Sequence, residues 1–530
     1  MTAENTTASN LENDSRQSKA SPIKAWLCAT ALHKAKLWAM LAFLFLLPLQ
    51  TRYIFRAAPL YEYGTLSVLA VELLGWVVIA LGAIKMKNAK PRTELRSGTG
   101  EKLKIKNVWF LSLPILAFFS ILWAPDKLVA LQAAVRLLEG VLLCTTVSAA
   151  INYKLQITNH KQYSNSNDQN CKGWRFINWN FLGIWDLKFG IYTAAFLAGA
   201  TLQAVLGIYQ FLTQSSFAST LLGMAAHDPA ALGTAVVEFS DERWLRAYGG
   251  LPHPNVLGGY LMVALVMLLH YLRHSEGVPR PRDDEESPTN VGSRIRAGSF
   301  AEFTPHRPIP IGLVRGLRMT PFFICFFVIL TGIFFSFSRA AWVAVIVLLG
   351  YWVIKLLRRN SIGKKLTIVS FLPMLSLMGY IVFLIIWFYP LVNARVMSAN
   401  QGRLETKSRV ERVQGVREAW ELIKQHPLMC VGMGNYTQAV ARDLRPDQPL
   451  YAYQPVHNVF LLVLAELGLV GLLFFLAILY QILKHSKFYI LHSTFYILLL
   501  LDHYLWTLPF GILLFWPILG LFADNPQDSS

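Results

Sequence analysis

Residues 454–476, QPVHNVFLLVLAELGLVGLLFFL, place a polar His457 and Asn458 pair directly before a long apolar run that carries one acid, Glu466. A helix needs about 20 apolar residues to cross the roughly 30 Å hydrocarbon core of a bilayer. This run is long enough for one crossing, and 54% of the 530 residues are hydrophobic while only 15% are charged. The composition excludes an ordinary soluble domain and predicts an all-α polytopic membrane protein.

Twelve stretches of the chain have the apolar length that a membrane helix requires. They lie near residues 37–55, 64–84, 107–123, 128–150, 189–212, 252–272, 321–337, 340–357, 366–389, 456–483, 488–502 and 505–522. The eleventh stretch is short, and little more than a turn separates the seventh from the eighth. Eleven spans, or a re-entrant segment, are therefore alternatives to about twelve transmembrane helices.

Lysine and arginine concentrate in alternate connecting segments, which the positive-inside rule assigns, together with both termini, to the cytoplasm. The net charge of +18 is therefore mainly a topology signal and gives little support to a nucleic-acid partner. The predicted organisation is a cytoplasmic tail at 1–36, helices 1–6 over 37–272, a disordered cytoplasmic loop at 273–320, helices 7–9 over 321–389, an outer loop at 390–455, helices 10–12 over 456–522 and a cytoplasmic tail at 523–530.

The outer loop at 390–455 is rich in arginine, against the trend of the other outer segments. An anionic partner is the simplest use for cations on this side, and a solvated, salt-bridged helix face is the alternative. Within the loop, SRVERVQGVREAWELIKQHP at 408–427 places Val410, Val413, Val416, Trp420 and Ile423 at helical spacing. This pattern predicts an amphipathic helix that lies on the outer membrane surface or caps the helix bundle.

Three polar side chains, Arg246, Arg339 and His457, come from separate parts of the chain but lie at the predicted outer membrane boundary. The planar donor groups of a guanidinium match the geometry of phosphate oxygens, so two arginines could hold a pyrophosphate. The alternative is the commoner use of a single interfacial arginine, which is to anchor the helix to lipid headgroups. A histidine titrates near pH 6.5, which suits a general base. The alternative for His457 is an interfacial ring bonded to Asn458, whose default role is a helix cap.

Glu466 lies nine residues beyond His457, which in a regular helix is about half a turn round and roughly 13 Å deeper. The two side chains could not then act on one atom, and Arg136 is one candidate partner for the buried acid. Gly468 falls near the face of His457, where it could admit another helix or a lipid chain. The sequence has no Walker loop, dinucleotide fingerprint, HExxH motif or outer acid cluster at metal spacing, so we expect no nucleotide, cofactor or metal.

Five pieces of the sequence, in this order, resemble the O-antigen ligase and O-antigen polymerase superfamily of bacterial membrane glycosyltransferases. They are GGLPHPNVLGGYL at 249–261, FSFSRAAWVA at 335–344, RVQGVREAWELIKQHPLMCVGMGNY at 412–436, HNVFLLVLAELGLVGLL at 457–473, and DHYLWT at 502–507 with FWPILGL at 515–521. The resemblance covers residues 246–521, whereas the first 240 residues match only in hydropathy.

The resemblance implies a GT-C-like fold of about twelve helices with a large outer loop between the ninth and tenth. Such enzymes transfer a glycan from a polyprenyl (undecaprenyl) pyrophosphate carrier to an acceptor hydroxyl, without a metal, on the outer face of the bacterial inner membrane. By matching motifs, Arg246 and Arg339 look like the arginines that bind the donor pyrophosphate. His457 looks like the histidine that activates the acceptor hydroxyl, and displacement by that hydroxyl would invert the sugar carbon.

Arg412 matches a recurrent arginine of the outer loop helix, and Arg409 is an equally good electrostatic candidate. Asn255, Asn435 and Asn458, which lie within the matching pieces, complete the substrate-binding candidates. The expected partners are a polyprenyl-pyrophosphate-linked glycan donor, a lipid A-core glycolipid or another hydroxyl acceptor, and membrane lipids, with no nucleic acid.

The acceptor distinguishes three functions that the resemblance leaves open. We favour an O-antigen ligase, with an O-antigen polymerase or a protein O-oligosaccharyltransferase as alternatives. From another class, an anion or lipid transporter would also use many spans and a basic outer surface. Transporters often have paired halves with broken helices at the midplane, and the sequence gives no sign of either.

Overall fold

The computed structural model describes residues 31–32, 34–58, 62–84, 107–152, 184–276, 311–360, 372–396, 403–428, 431–449, 452–484 and 489–521. Each of the twelve predicted apolar stretches contains a helix. The helices are α1 (34–46), α2 (Ala70–Ala83), α3 (Asn107–Phe119), α4 (Lys127–Asn152), α5 (Ile184–Thr213), α6 (Pro254–Glu276), α7 (Ile311–Phe335), α8 (Arg339–Asn360), α9 (Leu372–Trp387), α10 (Tyr389–Val396), α11 (Arg403–Gln425), α12 (Tyr436–Ala439), α13 (Val459–Lys484), α14 (Tyr489–Leu501), α15 (Tyr504–Thr507) and α16 (Pro509–Leu521). Most of the predicted 1–36 tail, much of the 273–320 loop and the 523–530 tail lie outside the described residues.

Helices of membrane-spanning length and hydropathy are present, as the sequence predicts. Within the described ranges, four qualify by length and composition: Lys127–Ile151, Gly190–Thr213, Pro254–Tyr271 and Val459–Lys484. A fifth would be formed by α9 and α10 if they are one span, bent by 85°. The protein is therefore a helical, polytopic membrane protein. The count of twelve spans and the position of the outer loop between helices 9 and 10 remain predictions.

The centre of the bundle is built by α16 packed along α4. Every residue of α16 from Phe510 to Leu521 is buried, which is expected of a helix that is apolar all round. The two backbones come close enough that a Cβ at Gly520 would lie only 2.2 Å from the carbonyl oxygen of Cys144. Glycine is therefore required at this position, and small residues of this kind allow membrane helices to pack closely.

Two antiparallel hairpins lie in the connections of the bundle. The first pairs β1 (Arg52–Arg56) with β2 (Leu66–Leu69), and the second pairs β3 (Val236–Phe239) with β4 (Glu242–Leu245). Ser240 and Asp241 join the second pair with positive φ angles of 49° and 65°. Two such residues in succession form the tight turn whose twist matches that of a hairpin.

The predicted amphipathic helix is α11, but its two faces differ from the prediction. Val410, Val413, Val416 and Trp420 are each about half exposed and face away from the bundle. Ala419, Leu422 and Ile423 pack into the core instead, although Ile423 was expected on the same stripe as the valines. The helix therefore caps the bundle with one face and exposes an apolar stripe on another; contact of that stripe with the membrane remains a prediction.

The expectation of a regular helix after His457 is wrong, because α13 is broken at Gly468. This residue has φ 72° and ψ −173°, a conformation open in practice only to glycine. The break frees carbonyl groups that would bond within the helix, and the loop that precedes α12 uses them. The N–H of Val431 donates to Ala465 O at 3.1 Å, and the N–H of Gly432 donates to Glu466 O at 3.0 Å.

Glu466 is buried, and its partner is not Arg136. Its carboxylate accepts a hydrogen bond from Trp506 Nε1 at 2.8 Å and further bonds from the backbone N–H groups of Gly434 and Tyr436. Arg136 instead pairs with Glu72, with 2.6 Å between Nε and Oε1. Glu466 therefore fastens three parts of the chain together: the 434–436 loop, α13 and α15.

Candidate active site

Arg246 lies at the end of the second hairpin and is almost fully buried, at 4% exposure. Its Nε donates to Ser336 O at 2.8 Å and its Nη2 donates to Asn255 Oδ1 at 2.7 Å. The amide Nδ2 of Asn255 donates in turn to Asp502 Oδ2 at 3.2 Å. Asn255 thus links Arg246, the arginine predicted to bind pyrophosphate, to Asp502 near the C-terminal end of the chain.

A strained turn joins α7 to α8 and places Arg339 at the first position of α8. Phe337 within this turn has φ 46°, which is uncommon for a non-glycine residue. Two buried arginines hold the turn by its carbonyl groups: Arg246 bonds to Ser336, and Arg395 Nε donates to Phe337 O at 3.0 Å. Arg339 is half-buried, and its Nη2 donates to Ser408 Oγ of α11 at 3.3 Å.

His457 meets Asp502 and His503, and we name these three residues the histidine cluster. Their potential ligand atoms all lie within 4.8 Å of one another, and the two imidazole rings are 5.0 Å apart between centroids. One Asp502 oxygen accepts the backbone N–H of His503 at 2.8 Å. His503 Nδ1 shares a hydrogen bond of 2.8 Å with Thr507 Oγ1. These contacts orient the ring of His503 beside that of His457.

Burial lowers the pKa of His457 below its ordinary value, because a charged ring is poorly solvated there. The Asp502 carboxylate and Glu411 act in the opposite direction, and the Arg412 cation adds to the decrease. Burial also lowers the pKa of His503, to about 3. Both rings are therefore neutral at neutral pH, the state in which a ring nitrogen can accept a proton.

The structure separates the two arginine candidates of α11. Arg412 is half-buried and close enough to His457 to lower the pKa of its ring, whereas Arg409 is exposed. Arg412 also lies one turn along α11 from Ser408, the contact of Arg339. One face of α11 thus connects Arg339 with His457.

Two of the three asparagine candidates are occupied with structural hydrogen bonds. Asn458 Oδ1 caps α13 by accepting the N–H of Leu461 at 2.9 Å, the role that its position predicts by default. Asn435 is fully buried, and its amide bonds to both backbone groups of Asp126 and to the carbonyl of Met433. Asn255 differs, because it lies within the polar network itself.

The spacing of the histidine cluster would allow it to coordinate a cation. In the described ranges it is the only group of three or more histidine, cysteine, aspartate or glutamate residues with this spacing. Both oxygens of Asp502 already accept hydrogen bonds, from Asn255 and from the backbone of His503. The donor set therefore fits a hydrogen-bonded relay at least as well as a metal centre.

Arg395, Asp502 and His503 were not predicted as site residues. Arg395 belongs to the arginine-rich outer loop, and its signal in the sequence is a charge in the last turn of an otherwise apolar helix. Asp502 and His503 begin DHYLWT, one of the pieces that carry the resemblance. An acid next to a histidine between two apolar stretches is costly in a membrane protein, and that cost was the available signal.

The fold and this site define a helical membrane protein whose polar groups converge from distant segments onto one histidine. Residues 324–476 match the family model described as O-antigen ligase. Arg339, Arg412 and His457 lie inside the match, whereas Arg246, Asn255 and Asp502 lie outside it and reach the site through the fold. No curated protein matches the chain.

Proposed function

We propose that the protein transfers a glycan from a polyprenyl-pyrophosphate carrier to an acceptor hydroxyl at the outer face of the bacterial inner membrane. The observation that carries this proposal is the convergence of Arg246, Arg339 and Arg412 on a network that ends at a neutral, half-buried His457. The O-antigen ligase family model supports it, because its match over residues 324–476 includes Arg339, Arg412 and His457.

In this mechanism His457 accepts the proton of the acceptor hydroxyl as its oxygen attacks the anomeric carbon of the donor sugar. The new glycosidic bond forms while the bond from that carbon to the pyrophosphate oxygen breaks, with inversion. The electron pair leaves with the carrier pyrophosphate, whose growing negative charge is stabilised by Arg339 and Arg246. The donor is already activated, so the reaction needs no nucleotide.

Transfer assays with the full chain in proteoliposomes test this proposal. The vesicles would contain a polyprenyl-pyrophosphate-linked glycan and a bacterial glycolipid extract as the acceptor. We expect His457→Ala and Arg339→Ala each to lower the transfer rate roughly a hundredfold or more. His426→Ala and Arg403→Ala, which change exposed residues at the two ends of α11, are the matched controls. Undiminished transfer by the first two variants would refute the assigned roles.

The acceptor separates a ligase from a polymerase and from a protein glycosyltransferase. We favour a ligase that acts on a glycolipid such as lipid A-core. Mass analysis of the glycoconjugates made with and without the protein identifies the acceptor directly. A product in which the donor glycan is doubled on its carrier would favour the polymerase, and a glycosylated protein the third function.

A further inference from the structure

A cavity of about 90 Å³, with both polar and apolar walls, lies beside the histidine cluster and is not used by the mechanism above. Its walls come from β1, β2, α4, the 433–437 segment, the 506–512 segment and, singly, Tyr63, Pro455 and Glu466; the Glu466 carboxylate is occupied by the bonds described above. One water molecule takes up about 30 Å³ in the liquid, so the enclosed space holds about three water molecules. An oligosaccharide does not fit there, and a glycan could place at most one ring in it.

The cavity shares walls with the histidine cluster. Tyr63 lines the cavity and contacts the ring of His503, with 5.8 Å between centroids. Thr507 also lines it and bonds to His503 Nδ1 at 2.8 Å. Arg246 reaches the cluster through Asn255 and Asp502 instead. The histidine cluster therefore contacts the arginine network through Asp502 and the walls of the cavity through His503.

The lining combines aromatic side chains with a few polar groups, as small-molecule sites usually do. Tyr63, Tyr436 and Trp506 offer faces on which the apolar side of a sugar ring could pack. Thr437 is 2% exposed, and its hydroxyl makes no hydrogen bond with any residue that the structure describes. A hydroxyl at a cavity wall that bonds to no described residue is suited to a ligand hydroxyl.

The lining contains two arginines, and among the described residues only one of them has an acidic partner. The charge of Arg136 is balanced by Glu72, and its guanidinium also donates to Ser67 O. The side chain of Arg52 is exposed and makes no ion pair or hydrogen bond with any described residue. Because Thr437 is buried and Arg52 is exposed, Arg52 lies at the exposed end of the cavity and Thr437 at its buried end. A negatively charged ligand group would pair with Arg52 there.

We propose that this cavity binds the acceptor, and that it takes one sugar ring carrying an anionic substituent, carboxylate or phosphate. The inference rests on the proposed transferase function and names the substrate class on the acceptor side. The ring packs among Tyr63, Tyr436 and Trp506, a ring hydroxyl bonds to Thr437, and the anionic group pairs with Arg52.

Equilibrium dialysis of the full chain in lipid nanodiscs, with radiolabelled D-glucuronate, D-glucose 6-phosphate and D-glucose, tests the site. We expect the better anionic sugar to bind about fivefold more tightly than glucose, the upper range for a partly exposed ion pair. Arg52→Gln should remove this preference and leave glucose binding unchanged, while Arg403→Gln, on an exposed outer arginine, should leave both unchanged. The carboxylate and phosphate sugars distinguish the two anionic groups.

Thr437→Leu fills the cavity and should weaken all three sugars about tenfold or more. Thr437→Val keeps the size and removes the hydroxyl, so it tests the contact in a chain whose packing is preserved. Equal binding by the wild type and all variants, or no binding at all, would overturn the cavity assignment.

Transfer kinetics separate this inference from the proposed function. We expect glucuronate or glucose 6-phosphate to inhibit transfer competitively against the acceptor and not against the lipid-linked donor. Transfer by the wild type with an unchanged acceptor KM in Thr437→Val and Arg52→Gln would refute the cavity and leave the transferase intact. Absence of transfer by the wild type would refute the proposed function itself.

Discussion

Replacement of Arg246 by lysine tests how the buried network supports the site. The guanidinium reaches two acceptors at once, Ser336 O at 2.8 Å and Asn255 Oδ1 at 2.7 Å. A lysine keeps the positive charge but has a single nitrogen, so it cannot reproduce both bonds of the planar fork. Arg246→Lys therefore leaves one buried oxygen without its donor while the formal charge of the site is unchanged.

A lost hydrogen bond from a charged donor costs about 1.5–3 kcal/mol, and an unsatisfied buried acceptor costs a similar amount. We expect Arg246→Lys to lower the free energy of unfolding by about 2–3 kcal/mol. Transfer should fall roughly tenfold or more, because each 1.4 kcal/mol of lost transition-state stabilisation is tenfold in rate. Arg403→Lys makes the same change at a side chain that is 75% exposed, and there we expect less than about 0.5 kcal/mol.

Chemical denaturation in detergent and transfer in proteoliposomes give the two readouts. Asn255→Ala should cost a comparable amount, because it breaks the link to Asp502. The double variant Arg246→Lys with Asn255→Ala should cost less than the sum, since the two residues share one bond. Additive effects, or an Arg246→Lys variant as stable and active as the Arg403→Lys control, would refute the network.

Three further predictions concern other parts of the site. With neutral His457 as the base, the transfer rate falls as the pH drops through the pKa of this histidine, which lies below the ordinary 6.5. Arg412→Gln should raise that pKa and move the acid limb of the pH profile to higher pH, whereas Asp502→Asn should lower the pKa and move the limb to lower pH. Coincident pH profiles of the wild type and both variants would refute both assignments. Glu466→Ala should lower the free energy of unfolding by about 2–5 kcal/mol, and Glu466→Gln should lower it by less, because glutamine keeps one acceptor oxygen. Equal denaturation midpoints of the wild type and the two variants would contradict this prediction. Gly468→Ala should lower the free energy of unfolding by about 1–3 kcal/mol through backbone strain, measured by the same denaturation. Gly350→Ala is the control, because a Cβ there meets nothing within 4 Å, and equal stability of the two variants would contradict the prediction.

Much of the fold follows from local apolar patterning. The apolar stretches predict where helices occur, because a helix in lipid must satisfy its backbone hydrogen bonds within itself. The same reasoning could not predict the break at Gly468. The sequence around it is continuously apolar, and glycine alone does not say whether a helix continues. The break depends on the 431–432 loop, which supplies new donors for the freed carbonyls.

The candidate site was predictable in part. Arg246, Arg339 and His457 were identified as residue types suited to pyrophosphate and proton transfer, and the resemblance supplied their order. The bridge from Arg246 through Asn255 to Asp502 was not predictable, because it spans 247 positions between its last two members. Hydrogen-bond geometry over such a separation leaves no periodic trace in the sequence.

The sequence by itself determined the class of protein, the apolar segments and the kinds of chemistry that its polar residues could perform. Only the tertiary structure decided which polar groups meet: Glu466 with Trp506, Arg136 with Glu72, and His457 with Asp502 and His503. The physical reason is that burial of apolar surface is non-directional and specifies that a helix is inside, not which helix lies beside it. Hydrogen bonds and ion pairs are directional, and their partners are fixed only when the helices have packed.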